Sequence, residues 1–419
     1  MGRPRGLIPG LRREDVRPPE PRSFVTGVPL FLGFDPSVGA PGTVVGPERL
    51  ATVEDLTAAA DLTAEGAEGA EGAEAALTAT AELTAMAELV AATARVGGAL
   101  GDAVRGFFAN GGRSCHVAWT APGPDPAAAV RRALTELDDR AELAGLTDVD
   151  LVCLPDLGAW PRPAEIPAAQ RAVLEHCAAR GDRFAVLDAV PGADLDVVEK
   201  QAQNLAGPAA AFGALYFPWL RVPADGAARY VPPCGHIAGT YAALDRARGV
   251  HRAPANREIA GVLDVYLDLT DADIVRLYEA GVNPVRALPG RGIRAWGACT
   301  LSDDERWASI PVRRLVSTIG RWARRFLETA AFEPNDVRLC ARIMRELTAA
   351  LEVLHAAGAF AGRVAEESFY VKCDHETNPP ESVAAGLVVT EIGVAPAVPA
   401  QFIIVRLISS ADDATVDAA

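Results

Sequence analysis

The chain has 419 residues, half of them hydrophobic, and a formal net charge of −15. That length suggests two or three domains, and the apolar half can bury a sizeable core. The negative balance argues against a protein that tracks nucleic-acid phosphates or adheres to an anionic membrane surface, and no run approaches the ~20 apolar residues of a membrane helix.

Residues 1–23 are rich in Arg, Pro and Gly, cannot pack a core by themselves, and read as an extended arm. They lack the apolar stretch of a signal peptide. Phe24 to Phe34 (FVTGVPLFLGF) is apolar and β-prone, and reads as the first buried strand. Residues 55–95 are low-complexity, with (D/E)LTA and GAE repeats; Gly66, Gly69 and Gly72 each cost roughly 1 kcal/mol in a helix, so helix is expected on either side of a surface excursion.

From about 100 to 250, helix-like segments (100–108, 126–145, 167–180, 194–206) alternate with short apolar strands (116–120, 149–157, 183–190, 213–222). Such strands argue for a parallel or mixed sheet covered on both faces. Beyond 251, Thr270 and Asp273 form a capping box for a short helix stopped by Gly281, and strands follow near 285–288 and 293–301. Two amphipathic helices come next. One starts near Pro311 and carries Val312, Leu315, Val316, Ile319, Trp322, Phe326 and Leu327 on one face. The other is expected to be capped at Asn335 and stopped at Gly358, with Cys340, Ile343, Met344, Leu347, Leu351 and Leu354 inward. The end is β: ESFYVKCD, GLVVTEIGV and QFIIVRLI. Phe402 to Ile408 is apolar on both faces except for Arg406, which predicts cover on both sides. It reads as a central strand of its own domain or as one donated to a neighbour's sheet.

The seven cysteines, Cys115, Cys153, Cys177, Cys234, Cys299, Cys340 and Cys373, are scattered through apolar runs and read as reduced thiols in a product made in the cytoplasm.

Several stretches carry a resemblance. Gly292–Leu301 (GIRAWGACTL), Ile310–Leu315 (IPVRRL), Phe332–Asn335 (FEPN), Phe369–Asp374 (FYVKCD), Glu391–Pro396 (EIGVAP) and Pro399–Ile403 (PAQFI) occur in the order and spacing of the contractile tail sheath family. That family includes phage tail sheaths and the sheaths of extracellular contractile injection systems. Gly27–Gly33 and Ala103–Gly112 also resemble sheath segments. The resemblance implies an α/β and α+β multi-domain subunit. Its parts are an extended N-terminal arm (1–23), a mixed-sheet α/β domain (24–250) with a surface insertion near 55–95, an α+β C-terminal domain (251–400), and a donated strand and tail (401–419). It further implies a structural protein that polymerises into a helical tube around an inner tube and contracts to drive it into a target. The implied partners are many copies of itself, the inner tube protein, baseplate and cap proteins, and paralogous sheath subunits, without nucleic acid or direct membrane insertion, and without cofactor or metal. The implied inter-subunit residues are Pro9, Gly10, Leu11, Glu14 and Val16 in the arm, and Phe402, Ile403, Ile404, Val405, Arg406 and Leu407 in the strand. The arm departs from the family pattern at Arg12, which lowers its strand propensity. A minor ring or adaptor paralogue of the same machine is the alternative within this class.

An enzyme would have to use Asp156 and Asp188, which close two predicted strands where ligands of open α/β sheets bind. The competing reading makes both routine caps of strand-to-helix connections. No nucleophile, phosphate loop or GxGxxG accompanies them. Cys234 with His236, His176 with Cys177, and Cys373 with His375 are isolated pairs rather than zinc-spaced sets. Trp160, Trp219, Trp296, Trp307 and Trp322 read as packing residues.

Overall fold

The computed structural model describes residues 24–35, 44–51, 98–139, 146–224, 227–330, 335–397, 403–409 and 414–418. The expected arm 1–23, the repeat at 55–95 and Phe402 lie outside them.

The alternating pattern builds one large sheet. Its strands are β1 (Pro29–Phe34), β2 (Val44–Ala51), β3 (Ser114–Thr120), β4 (Leu151–Cys153), β5 (Phe184–Asp188), β6 (Gly213–Phe217), β9 (Arg257–Glu258), β11 (Val282–Leu288) and β12 (Gly292–Ala295), in the order β2-β3-β1-β4-β5-β6-β11-β12-β9. From β3 to β11 neighbours are parallel, while β2, β12 and β9 pair antiparallel at the two ends, so the sheet is mixed.

Successive side chains of these strands point to opposite faces. Leu30, Leu32, Val152, Leu187 and Leu215 face helices α2 (Pro126–Asp139), α3 (Ile166–Arg180) and α4 (Leu195–Leu205). Phe31, Val117, Cys153, Val186 and Tyr216 face α1 (Gly98–Ala109) and α5 (Cys234–Arg248). The last two helices approach closely, because a methyl on Gly235 would lie 2.2 Å from the Ala103 carbonyl oxygen and one on Gly239 2.4 Å from that of Phe107. Both faces are therefore covered, which is why the strands are apolar throughout.

Two strand expectations shift in detail. The strand expected at 149–157 ends at Cys153, because Pro155 opens a short 3-10 turn, Pro155–Ala159. The run 213–222 divides at Pro218 into β6 and β7 (Leu220–Ala224), and β7 pairs instead with β8 (Ala227–Val231) and β10 (Asp264–Val265) in a three-stranded sheet. The helix α6 (Asp271–Glu279) has the expected capping box on Thr270 and Asp273. The central sheet also runs across residue 250, since β11 lies beside β6 with Val282 opposite Leu215.

The C-terminal region has its own core. Helices α7 (Ile310–Ala330) and α8 (Val337–Ala356) pack on an antiparallel sheet of β13 (Phe369–Lys372), β14 (Val388–Val394), β15 (Ile403–Ser409) and β16 (Ala414–Ala418), in that order. The cap of α8 is Asp336 rather than Asn335: its carboxylate accepts from the amides of Arg338 (2.8 Å) and Leu339 (3.0 Å). Asn335 instead donates its side-chain amide to the Leu387 carbonyl at 2.9 Å.

Candidate inter-subunit interface

The strand singled out in the sequence, β15, pairs with β14 through seven register positions, from Val388 opposite Ser409 to Val394 opposite Ile403. On its other side, within the same chain, lies β16. Ile403, Val405 and Leu407 are buried against α7 and α8. The opposite face holds half-buried Ile404, exposed Arg406 and Ile408, which is 38% exposed. Among the described residues the expectation of cover on both sides is thus met on one side only, because both helices lie on the same face of this sheet.

Register builds a polar row on that open face. Lys372, Glu391 and Arg406 stand opposite one another across β13, β14 and β15. Glu391 accepts from Arg406 Nε at 3.2 Å and from the Tyr370 hydroxyl at 2.7 Å. These donors hold the Glu391 carboxyl below its ordinary pKa, the Tyr370 bond first. Burial and the same bond push Tyr370 up to about 12.

Helix α7 fastens this unit to the central body. Leu315, Val316, Ile319, Ala323 and Leu327 face the C-terminal core, as its periodicity predicts. Its other side is not solvated but carries buried arginines. Arg314 donates to Asp245 Oδ1 (3.0 Å) and Asp150 Oδ2 (2.9 Å) and lies over the Tyr241 ring at 4.8 Å. Asp150 Oδ1 also accepts from the Val28 amide at 2.7 Å, which brings β1 into the network. Burial opposes the charge on Arg314, but Asp245 and then Asp150 outweigh it and raise its pKa. Two turns on, Arg321 donates to the carbonyls of Asp182 (2.6 Å) and Val25 (2.7 Å), and Arg324 meets Asp182 Oδ2 at 3.2 Å. These residues were not singled out by sequence reasoning. The signal was there: α7 carries five arginines and one acid, Glu328, so its basic side has almost no partner on its own helix.

The carboxylates proposed for catalysis do other work. Asp156 accepts from the amides of Phe34 (3.1 Å) and Leu100 (2.9 Å), tying the end of β1 to the first turn of α1. Burial raises its pKa. Asp188 accepts from the Cys234 amide at 2.8 Å and so caps α5, whereas the next helix in sequence, α4, has its own cap in Asp194. Burial pushes Asp188 up to about 7. Among the described residues no group of three or more His, Cys, Asp or Glu side chains is placed to hold a metal ion. Trp160 packs on Phe34 and Trp322 lies between Phe24 and Phe326, as packing residues do. The seven cysteines are free thiols, six of them buried and Cys340 half-buried. Of the arm residues, Pro9, Gly10, Leu11, Glu14 and Val16 lie outside the described residues, as does Phe402.

Comparison with known proteins bears on the whole arrangement. Residues 137–301 match the family model of the phage tail sheath protein central domain. The tail sheath protein of Vibrio phage KVP40 is 30% identical over 190 residues, 44% of this chain. The chain spans about a quarter of that relative, 27% of its length. A chain of the anti-feeding prophage baseplate, solved by cryo-EM, superposes with a TM-score of 0.65 at 26% identity, over 95% of this chain and 97% of that one. A chain of the anti-feeding prophage helical sheath in its contracted state gives 0.61 at 26% identity, over 95% and 98%. The central region thus carries a match to a phage tail sheath domain, and the chain is similar over nearly its whole length to chains of a contractile sheath and its baseplate. The central-domain match stops at residue 301, before α7, whereas the structural matches extend into the C-terminal region.

Proposed function

We propose that the chain is a structural sheath subunit of a phage-tail-like contractile injection system. Copies polymerise into a helical tube around an inner tube, and contraction of that tube drives the inner tube into a target. The observation that carries this reading is the match, over nearly the full length of both chains, to a helical sheath subunit. The half-open C-terminal sheet supports it, since Ile404 and Ile408 offer apolar surface that no element among the described residues covers.

In this reading residues 1–23 act as an arm and residues 401–419 as a strand given to a neighbour. Identical chains offer identical strands, so exchanging β15 between copies keeps every ladder bond and links the subunits. The subunits then rotate as rigid bodies during contraction while the links persist. The inner tube, baseplate and cap proteins are its further partners, and the producing bacterium makes it in the cytoplasm for a particle that it can release.

Electron microscopy of the purified, overexpressed protein tests this. Long tubes of uniform diameter are expected. A discrete ring would move the assignment to a minor sheath-like paralogue, and a small soluble particle whose Tm rises with an added metabolite would replace both.

A further inference from the structure

The residue before Arg314 is treated quite differently by the fold. Arg313 is 4% exposed, with its guanidinium held between the rings of Phe212 (4.4 Å) and Trp307 (4.3 Å). Trp307 is pinned in turn, because Thr300 Oγ1 donates to its carbonyl at 2.7 Å. Among the described residues no carboxylate, carbonyl or hydroxyl accepts from this guanidinium, and Nε is sealed from solvent without a partner. One turn further along the same side of α7, the hydroxyl of buried Ser317 is also without a partner. Burial alone pulls the pKa of Arg313 down to about 9, with no acid opposing it. A buried charge without a counter-ion is costly, and two aromatic faces offset only part of that cost.

We infer that Arg313 is the receptor for a carboxylate supplied by a second copy of this chain. The rings cover both faces of the guanidinium, so a ligand reaches only its edge. Only Nε is sealed, so the remaining access lies at the outer nitrogens. That planar edge matches the two oxygens of a carboxylate. With 55 acidic against 40 basic residues, each copy carries carboxylates in excess. Placement in the first turns of α7 adds the positive end of a helix dipole. With no partner among the described residues, the cation strains the free subunit, and association relieves it. This inference rests on the sheath reading and names one contact of the assembly.

The test is Arg313→Met, which keeps bulk between the rings and removes the charge. Below the concentration at which tubes form, its Tm should lie above that of the wild type, while the critical concentration for tubes should rise roughly tenfold or more. Assembly at the wild-type critical concentration would show that Arg313 only packs between two rings. A lowered Tm of the free subunit would show that its counter-ion belongs to the same chain, which also overturns the inference. If the wild type forms no tubes, the sheath reading fails. Sedimentation of whatever smaller oligomer exists then decides the matter, with weaker self-association of Arg313→Met supporting the contact and unchanged self-association refuting it.

Discussion

At the scale of single residues, neighbouring arginines and two buried aspartates show how partner identity sets the sign of a substitution. Removing Arg314 leaves Asp150 and Asp245 buried beside each other without their cation. Breaking a buried pair from one side costs roughly 3–5 kcal/mol, so Arg314→Leu should lower the unfolding free energy from denaturant titration by that amount. Arg313→Met should move stability the other way, although both residues are arginines in one helical turn. Asp188 gives a pH signature. Its folded pKa of about 7, against an ordinary 3.8, means that the folded state binds the proton more tightly. Its stabilising contribution is full below pH 3.8 and is lost as pH rises towards 7, a total of at most roughly 4 kcal/mol. Asp188→Asn should therefore gain more in Tm over the wild type at pH 8 than at pH 4. An equal gain at both values would show that the carboxyl is not perturbed. The same variant combined with Asp156→Asn should assemble normally, because both carboxylates hold backbone amides; a specific loss of function in a well-folded double variant would reopen the enzymatic reading.

At the scale of elements, the two faces of β15 separate folding from assembly. Leu407 is fully buried against α7 and α8, so Leu407→Ala should cost about 2–5 kcal/mol in the isolated subunit. Ile404 and Ile408 lie on the open face, so replacing both with Lys should change subunit stability little yet abolish tubes. Tubes that persist in the double Lys variant would show that this face stays in solvent. The elements themselves were largely legible beforehand. The 3.6-residue period over Val312–Leu327 gave α7, and Thr270 with Asp273 gave the start of α6. The cap of α8 was misplaced by one residue, because Asn335 and Asp336 are both good caps and only the backbone turn selects between them. The strand at 213–222 divides because Pro218 lacks the amide that a continuous ladder needs.

At the scale of the molecule, β2 forms one edge of the central sheet, and the repeat-bearing segment joins it to α1. An edge strand can carry a long connection with little penalty, since loop-closure entropy grows only slowly with length. Deleting residues 60–90 should leave Tm and tube formation unchanged; lost assembly in a stable subunit would place the repeat at an interface. The candidate interface was visible in part, as an apolar strand near the chain end. Its fastening to the central body was not. Arg314 and Asp150 are 164 positions apart, and Arg321 and Val25 are 296 apart. On a helix wheel the arginines of α7 look solvated. The sequence by itself determined which segments are apolar, their periods and their caps, because these follow from local burial and backbone geometry. Only the tertiary structure decided that β11 joins the sheet across residue 250 and that, among the described residues, one face of β15 stays open and Arg314 is paired where Arg313 is not. Local patterning reports how dry a position is, whereas the partner waiting there is set by chain segments that sequence distance does not connect.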